Sequence, residues 1–539
     1  MQFRINSLFN RFFRQLQFYG VKKILKKIGI LGIIRISPGF LYRRWIAENE
    51  RESNPACDTR DRSSSFPFQP KISLLVPVWN TERVWLEKAI TSVSIQSYRN
   101  WELCIVYAGP HDPSVTSLLS RMADNDKRIR VQNIDTNRGI AGNTNAALGM
   151  ATGEFCGFLD QDDELSPDAL YEVVDLLNRN PGRDLIYTDH DTIDTAGLRR
   201  NPYLKPDFSL PFLLSGNYFL HFVVCRTSLL QEAGGLRAGF EGAQDYDLML
   251  RLTEKTGEDS IGHIRKVLYH WRTLDTSCAQ DVSRKPLSSL AGKNALDEYL
   301  QRNDIRGEVF ALPHNTYRVC FTPRDPSRTA LFLWQHPDEG QIDTPALRTL
   351  MQRICSREIP CAKPESYAAY CPEKHPGYMY DEDVQDALRV LAKDESHDFV
   401  VVIQPPLKNS PAMSFHTRWL EELVSLHTVF PAGVVGCGGP VYYDVLCSVP
   451  YPCGPVFCVR RPLLEKFLES WGVISGFSAF QMDVSRFAEG AGRENISTPY
   501  CLQVMRDPIL LYEYYHQVPD HRFFTRNMRY YLKPVFIDG

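Results

Sequence analysis

The chain has 539 residues, too many for one ordinary core, and its hydrophobic (43%) and charged (23%) fractions are those of a folded protein of about two domains. A formal net charge of −3 argues against a general nucleic-acid binder. The 14 cysteines are scattered without a CxxC pair, and no secretory cleavage signal is evident, so reduced thiols in a cytoplasmic protein are expected.

Residues 1–48 hold ten Lys or Arg and one acid, Glu48. Phe9, Phe12, Phe13 and Leu16 recur at helical spacing, with Arg11 and Arg14 on other faces. Lys22, Lys23, Lys26 and Lys27 precede an apolar run, Ile28 to Ile34, that is too short to span a bilayer. This pattern predicts a basic amphipathic segment on the anionic inner face of the cytoplasmic membrane. A helix packed on the protein's own body is the competing reading, as is a basic face meeting an acidic partner. Residues 49–70 are polar and Pro/Ser-rich and read as a linker.

Regular structure is predicted to begin with the buried strand Ile72–Val78, then a helix over 82–96 and a strand at Trp101–Tyr107. A helix over 114–125, a strand over 130–133 and a helix over 143–150 follow. The strand Phe155–Leu159 comes next. Strands alternating with helices predict a mostly parallel sheet covered on both faces. This block, 71–275, is followed by a connector, 276–328, with one helix at about 287–302. A second alternating block spans 329–515, with helices near 345–354, 384–393 and 417–426 and strands Phe399–Ile403 and Gly433–Gly436. A tail, 516–539, closes the chain. Cys437, Cys447, Cys453 and Cys458 fit no common zinc spacing, and strand positions explain them better.

The most informative stretch is Gly157 to Glu164. An apolar run ends at Asp160, Asp162 and Asp163, where open α/β sheets place ligands. Clustered carboxylates repel, so a site that keeps them neutralises them with a cation or a basic partner. Hard oxygen ligands with room for phosphates suit Mg²⁺ or Mn²⁺. A polar turn capping the helix that starts near Ser166 and Pro167 is the alternative.

Six elements in order carry a resemblance. They are Leu75-Val76-Pro77-Val78-Trp79-Asn80; Asn137-Arg138-Gly139-Ile140 through Asn145-Ala146-Ala147; Phe158 to Asp163; Gly234-Gly235; Gln244-Asp245-Tyr246-Asp247-Leu248; and Val267 to Arg272. Residues 71–275 resemble a bacterial family 2 glycosyltransferase of the GT-A fold, the type that builds O-antigen, capsule or other surface glycans.

The resemblance implies an inverting, metal-dependent transfer from a nucleotide-diphospho-sugar to a lipid-linked or growing glycan. It assigns Asp160, Asp162 and His270 to the metal, with Asp160 also near the ribose. It assigns Asp245 as catalytic base, with Asp247 as competing candidate. The expected donor-binding residues are Pro77, Val78, Trp79, Glu82, Tyr107, Asn137, Gly139, Asn145, Asp160, Gln161 and Arg272. One departure stands out. Where the family carries an Asp-Asp pair, this chain reads Val106-Tyr107-Ala108-Gly109-Pro110. Tyr107 stacking on a base, or Asp112 from the loop, would have to compensate.

The second block resembles a decayed copy of the same fold. Its expected metal turn is Gln404-Pro405-Pro406-Leu407, and its expected base region is Gln481-Met482-Asp483. Proline supplies neither an acidic ligand nor a backbone donor. An inactive scaffold or glycan-binding subunit of an assembly complex is therefore the alternative for the whole chain. A sugar nucleotidyltransferase is disfavoured, because no glycine-rich loop with Arg and Lys follows the first strand.

Overall fold

A computed structural model of the chain describes residues 65–274, 285–312 and 315–321 continuously, with Tyr42, Arg43, Ile46, Ala47 and Glu50 before them and short strands and helical pieces between 329 and 504. The expected amphipathic segment (apart from Tyr42, Arg43, Ile46 and Ala47), the helix over 345–354, the turn at Gln404–Leu407, the stretch Gln481–Asp483 and the tail lie outside the described residues. So do Cys437 and Cys453.

Uninterrupted apolar runs make the first strands. β1 (Ile72–Val78) and β2 (Trp101–Ala108) are buried along almost their whole length, as strands covered on both faces must be. β3 (Ile129–Ile134) pairs with β2, and β4 (Phe155–Phe158) with β1, all parallel. Between them run α1 (Arg83–Ser94), α2 (Pro113–Asn125) and α3 (Gly139–Met150). α2 starts with Pro113 in its first turn, where no N–H is needed. The Asp112 carboxylate caps it, accepting from the Ser114 and Val115 N–H groups at 2.7 and 3.3 Å. A Cβ at Gly157 would lie 2.9 Å from both the Leu74 and the Phe222 side chains, so glycine lets β4 sit flat between its neighbours.

The second half of the sheet is mixed. β5 (Glu164–Leu165), α4 (Ala169–Arg179), β6 (Leu185–Ile193), β7 (Arg199–Tyr203), α5 (Leu210–Leu213), β8 (Val223–Arg226), α6 (Thr227–Glu232), α7 (Gln244–Lys255) and β9 (Ile261–Arg272) follow in order. The strand order is β3-β2-β1-β4-β8-β6-β9-β5, with β7 on β6. β8 is antiparallel to both β4 and β6, while β6 and β9 are parallel. The order turns back at β1, between β2 and β4, so a crevice opens beyond the carboxyl ends of β1 and β4.

Much of the expected connector packs on the sheet domain. α8 (Lys285–Arg302) and the hairpin β10 (Gly307–Leu312) and β11 (Thr316–Phe321) share one apolar core with the sheet domain. Tyr317 stacks on Tyr246 of α7 with ring centroids 5.7 Å apart, and its N–H donates to the Ser215 carbonyl at 2.9 Å. Tyr317, Val319 and Phe321, alternating along β11, are its buried face.

Further strands are β12 (Thr329–Leu333), β13 (Phe399–Ile403), β14 (Met413–Phe415), β15 (Ala432–Gly436), β16 (Cys447–Ser448), β17 (Val456–Arg460), β18 (Glu494–Ser497) and β19 (Leu502–Val504), with α9 (Arg461–Ser470) after β17. Six form a second sheet, β12-β13-β17-β15-β18-β16. Its pairing senses repeat those of the first. β12 and β13 are parallel, β17 is antiparallel to β13 and β15, and β15 and β18 are parallel. The run β1-β4-β8-β6-β9 has the same sequence of senses.

Candidate active site

The crevice is lined by Pro77 from the end of β1, Ile140 from α3, Asp160 after β4, Asn217 and His221 from the segment before β8, and Asp245 from α7. Five separate stretches of chain therefore meet there. Gly139, with φ of +72°, makes the turn that starts α3 beside the crevice. Asn137 Oδ1 accepts from the Gly139 N–H and from Asn143 Nδ2, both at 2.9 Å, and so braces this turn.

Carboxylates dominate the electrostatics. Burial, then the nearby Asp162 and Asp245, raises the Asp160 pKa to about 7. Burial also raises those of Asp162 and Asp245, and raises that of Asp163 well above the usual range with help from Asp160 and Asp162. Asp163 is nonetheless bonded, taking the Tyr269 hydroxyl and the Arg272 N–H (2.7 Å). Burial, then Lys205, lowers the His221 pKa to about 3, so its imidazole is neutral and has a lone pair to offer. Ligand atoms of Asp160, Asp163 and His221 lie within 4.8 Å of one another. Oxygen donors plus one neutral nitrogen fit a hard divalent cation.

The structure rearranges several expected roles. His270 is not in the Asp160 group. Its Nδ1 is 2.6 Å from Asp191 Oδ1, on the β6 side of β9. Strand alternation explains this: neighbouring Tyr269 faces Asp163, so His270 faces the other way. Arg272 is fully buried and directs its guanidinium to the Asp162 carbonyl (2.8 Å), the Asp194 carbonyl (3.3 Å) and the Glu164 carboxylate. It builds the acidic turn and has no face open to a phosphate.

Tyr107 is 2% exposed, edge-on to His111, with its hydroxyl accepting from the Asp112 N–H at 2.7 Å. The Tyr107 ring is not open to a nucleobase, and Asp112 is exposed with Oδ1 engaged in capping α2. Asn145 spends its amide on the Leu236 N–H and carbonyl, at 2.9 and 2.7 Å. Val78 is buried in the core, and Glu82 is exposed at the start of α1.

The two acids of α7 part company. Asp245 lines the crevice and accepts from Asn217 Nδ2 at 3.1 Å. Asp247 is fully buried and pairs with Arg251 (2.7 Å) and Arg237. Helical geometry puts residues two apart on different faces. Asn217 and His221 were not legible as site residues, because the aromatic run around them reads only as core. Trp79, 44% exposed, is fixed by Gln161 through its own backbone.

Residues 73–239 match the family described as Glycosyl transferase family 2. A protein of Sinorhizobium fredii, uncharacterized protein y4gI, is 42% identical over 233 residues, covering 43% of this chain and 26% of that protein. The O-antigen biosynthesis protein RfbC of Myxococcus xanthus is 31% identical over 417 residues, covering 74% of this chain and 31% of that protein. The hyaluronan synthase of Pasteurella multocida is 28% identical over 241 residues, covering 44% and 23%. The chain thus spans less than a third of the length of these relatives.

Proposed function

We propose that this chain, whose residues 73–239 are a glycosyl transferase family 2 domain, is an inverting glycosyltransferase. It moves a sugar from a nucleotide-diphospho-sugar to a lipid-linked or growing surface polysaccharide. The observation that carries the reading is that two acidic groups line one crevice, with Asp160 at the end of β4 and Asp245 in the first turn of α7. The likeness to a protein of O-antigen biosynthesis supports the polysaccharide as product.

Asp160 and Asp162, with Asp163 and His221 beside them, would hold a divalent cation, Mn²⁺ or Mg²⁺. When bound, the cation offsets the negative charge that builds on the leaving diphosphate. The chain's own groups do the rest. Pro77, Trp79 and Gln161 form the donor wall, and the turn at Asn137 and Gly139 brings backbone close to the donor. Asp245 takes the proton from the acceptor hydroxyl as the new bond forms. Arg272 keeps the acidic turn in shape.

Residues 1–48 bring the domain to the anionic face of the membrane, where lipid-linked acceptors reside. Among the described residues no helix is long and apolar enough to cross a membrane. The second sheet, with the pairing senses of the first, is a non-catalytic repeat that braces the domain or positions acceptor.

A second reading has one observation in its favour: no carboxylate stands at Val106–Pro110, and Tyr107 is packed away. Under that reading the chain is an inactive scaffold. A panel of nucleotide sugars incubated with Mn²⁺ and a membrane glycolipid extract separates the two. Transfer that stops in EDTA supports the enzyme. Absence of both transfer and nucleotide-sugar binding across the panel overturns it.

A further inference from the structure

Lys205 lies between β7 and α5 and is 3% exposed. Its ammonium donates to three successive carbonyls, those of Phe219 (3.1 Å), Leu220 and His221 (2.7 Å). Every proton it has is used. Its own N–H donates to Asp189 Oδ1 at 2.8 Å, and His263 Nε2 is 3.0 Å from the same oxygen. The lysine is thus tied to β6 at one end and to the segment before β8 at the other.

That segment supplies much of one wall of the crevice. Asn217, Leu220 and His221 all line it. Asn217 Nδ2 reaches Asp245 at 3.1 Å, and the His221 ring stacks on Tyr269 with centroids 4.7 Å apart. His221 has φ of +45°, a left-handed conformation uncommon for a residue with a Cβ, although histidine enters it more readily than most. Three carbonyls turned inward on one point also repel one another. A buried donor group at that point is what makes the curl favourable, although burial pulls the Lys205 pKa down to about 7 against the raising effect of Asp189.

We propose that Lys205 is a positioning residue of the transfer site: its ammonium curls residues 217–221 so that Asn217 meets Asp245 and His221 stands beside Asp160 and Asp163. This rests on the glycosyltransferase reading for its functional consequence, though not for the clamp itself. Lys205 touches no reacting atom. It acts through the backbone of the segment it holds.

The test uses the full chain with Lys205→Met, Lys205→Gln and Asn217→Ala. Hydrogen exchange of a peptide covering 215–224 reads the clamp directly. Exchange there is expected to quicken about tenfold or more in Lys205→Met and less in Lys205→Gln, with peptides covering β1 and β2 unchanged. In transfer assays Lys205→Met and Asn217→Ala both lose about tenfold or more in kcat, with donor KM within about threefold of wild type. Asn217→Ala does so without the exchange change. Unaltered exchange over 215–224, or equal acceleration in β1 and β2, overturns the clamp. If Lys205→Met does not fold, Lys205→Gln is read against the same two criteria. If the wild-type chain transfers no sugar, the glycosyltransferase reading fails, and the exchange experiment still decides the clamp.

Discussion

The side-chain amide of Gln161 pairs with the backbone of Trp79 in both directions. Its Oε1 accepts from the Trp79 N–H at 2.8 Å, and its Nε2 donates to the Trp79 carbonyl at 3.1 Å. Two turns, one after β1 and one after β4, are thereby sewn together, each near a crevice-lining residue, Pro77 and Asp160. A carboxamide supplies both a donor and an acceptor, which an ionised carboxylate of the same shape does not. Gln161→Glu keeps the shape and loses the donor, so it leaves the Trp79 carbonyl facing a carboxylate. Donor KM is expected to rise severalfold in Gln161→Glu and in Gln161→Ala, while the melting temperature changes little, since each exposed hydrogen bond contributes only about 0.5–1.5 kcal/mol. Calorimetric titration with nucleotide sugar checks it. Unchanged donor affinity in both variants would count against this wall as part of the donor site.

Asp245 and Asp247 are two residues apart, and their variants should fail for different reasons. Asp245→Asn removes the base and is expected to lower kcat by about 10²–10⁴ with donor binding retained. Asp247→Asn strips the partner from buried Arg251, and breaking such a pair costs about 3–5 kcal/mol. Its loss should appear in the melting temperature before it appears in kcat per folded molecule. A stable Asp247→Asn that transfers no sugar, beside an active Asp245→Asn, would exchange the two roles.

The parallel half of the sheet was legible because its strands are continuous apolar runs, such as Leu74-Leu75-Val76 and Cys104-Ile105-Val106. The acidic turn was legible for the opposite reason, an apolar strand stopping at charge. The partners of that turn were not. His270 and Arg272 share a strand with Tyr269, and their roles depend on which face each side chain takes. β9 shifts register against β6 between Thr188 and His190, which period-two counting does not anticipate. Lys205 and Asn217 gave no signal because their work is done through backbone carbonyls and one amide, contacts made only once the chain has folded. The packing of α8 and the β10–β11 hairpin onto the domain was not foreseen, because 276–328 read only as a mixed connector with one helix.

Glu102 provides a pH test at the end of the sheet away from the crevice. It is buried, and burial alone would raise its pKa. Hydrogen bonds from Ser73, the Thr152 N–H, Lys71 and the Thr152 hydroxyl outweigh that and bring it to about 2 from 4.5. The folded-state value is depressed, so its stabilisation is complete above the unfolded value and is lost as pH falls from about 4.5 toward 2. Glu102→Gln should be less stable at neutral pH by about 1.5–3 kcal/mol, the usual worth of hydrogen bonds to a charge. It should also lose part of the acid dependence of wild type in that window. Urea unfolding at several pH values measures both. Parallel curves for the two proteins would show that Glu102 does not titrate on unfolding.

The N-terminal basic segment and the domain meet at Tyr42, and this sets where a truncation can fall. The Tyr42 hydroxyl donates to Asp191 Oδ2 at 2.7 Å. Arg199 Nε reaches the same oxygen at 2.6 Å and, through its other nitrogens, the Glu50 carboxylate at 2.6 and 2.9 Å. Asp191 Oδ1 in turn holds His270 Nδ1. Tyr42 is buried, so it belongs to the domain core although it lies within the stretch read as membrane-binding. Deleting residues 1–41 should release the chain from anionic vesicles with its melting temperature intact, since the cluster at Lys22–Lys27 goes while Tyr42 stays. Deleting 1–48 should cost a further 1–3 kcal/mol or so, because fully buried Asp191 loses a donor. Tyr42→Phe isolates the hydroxyl and should cost about 1 kcal/mol. Vesicle flotation and thermal unfolding of the three variants decide it. Equal melting temperatures for the two deletions would detach Tyr42 from the domain, and equal vesicle binding of wild type and the 1–41 deletion would remove the membrane role of the basic segment.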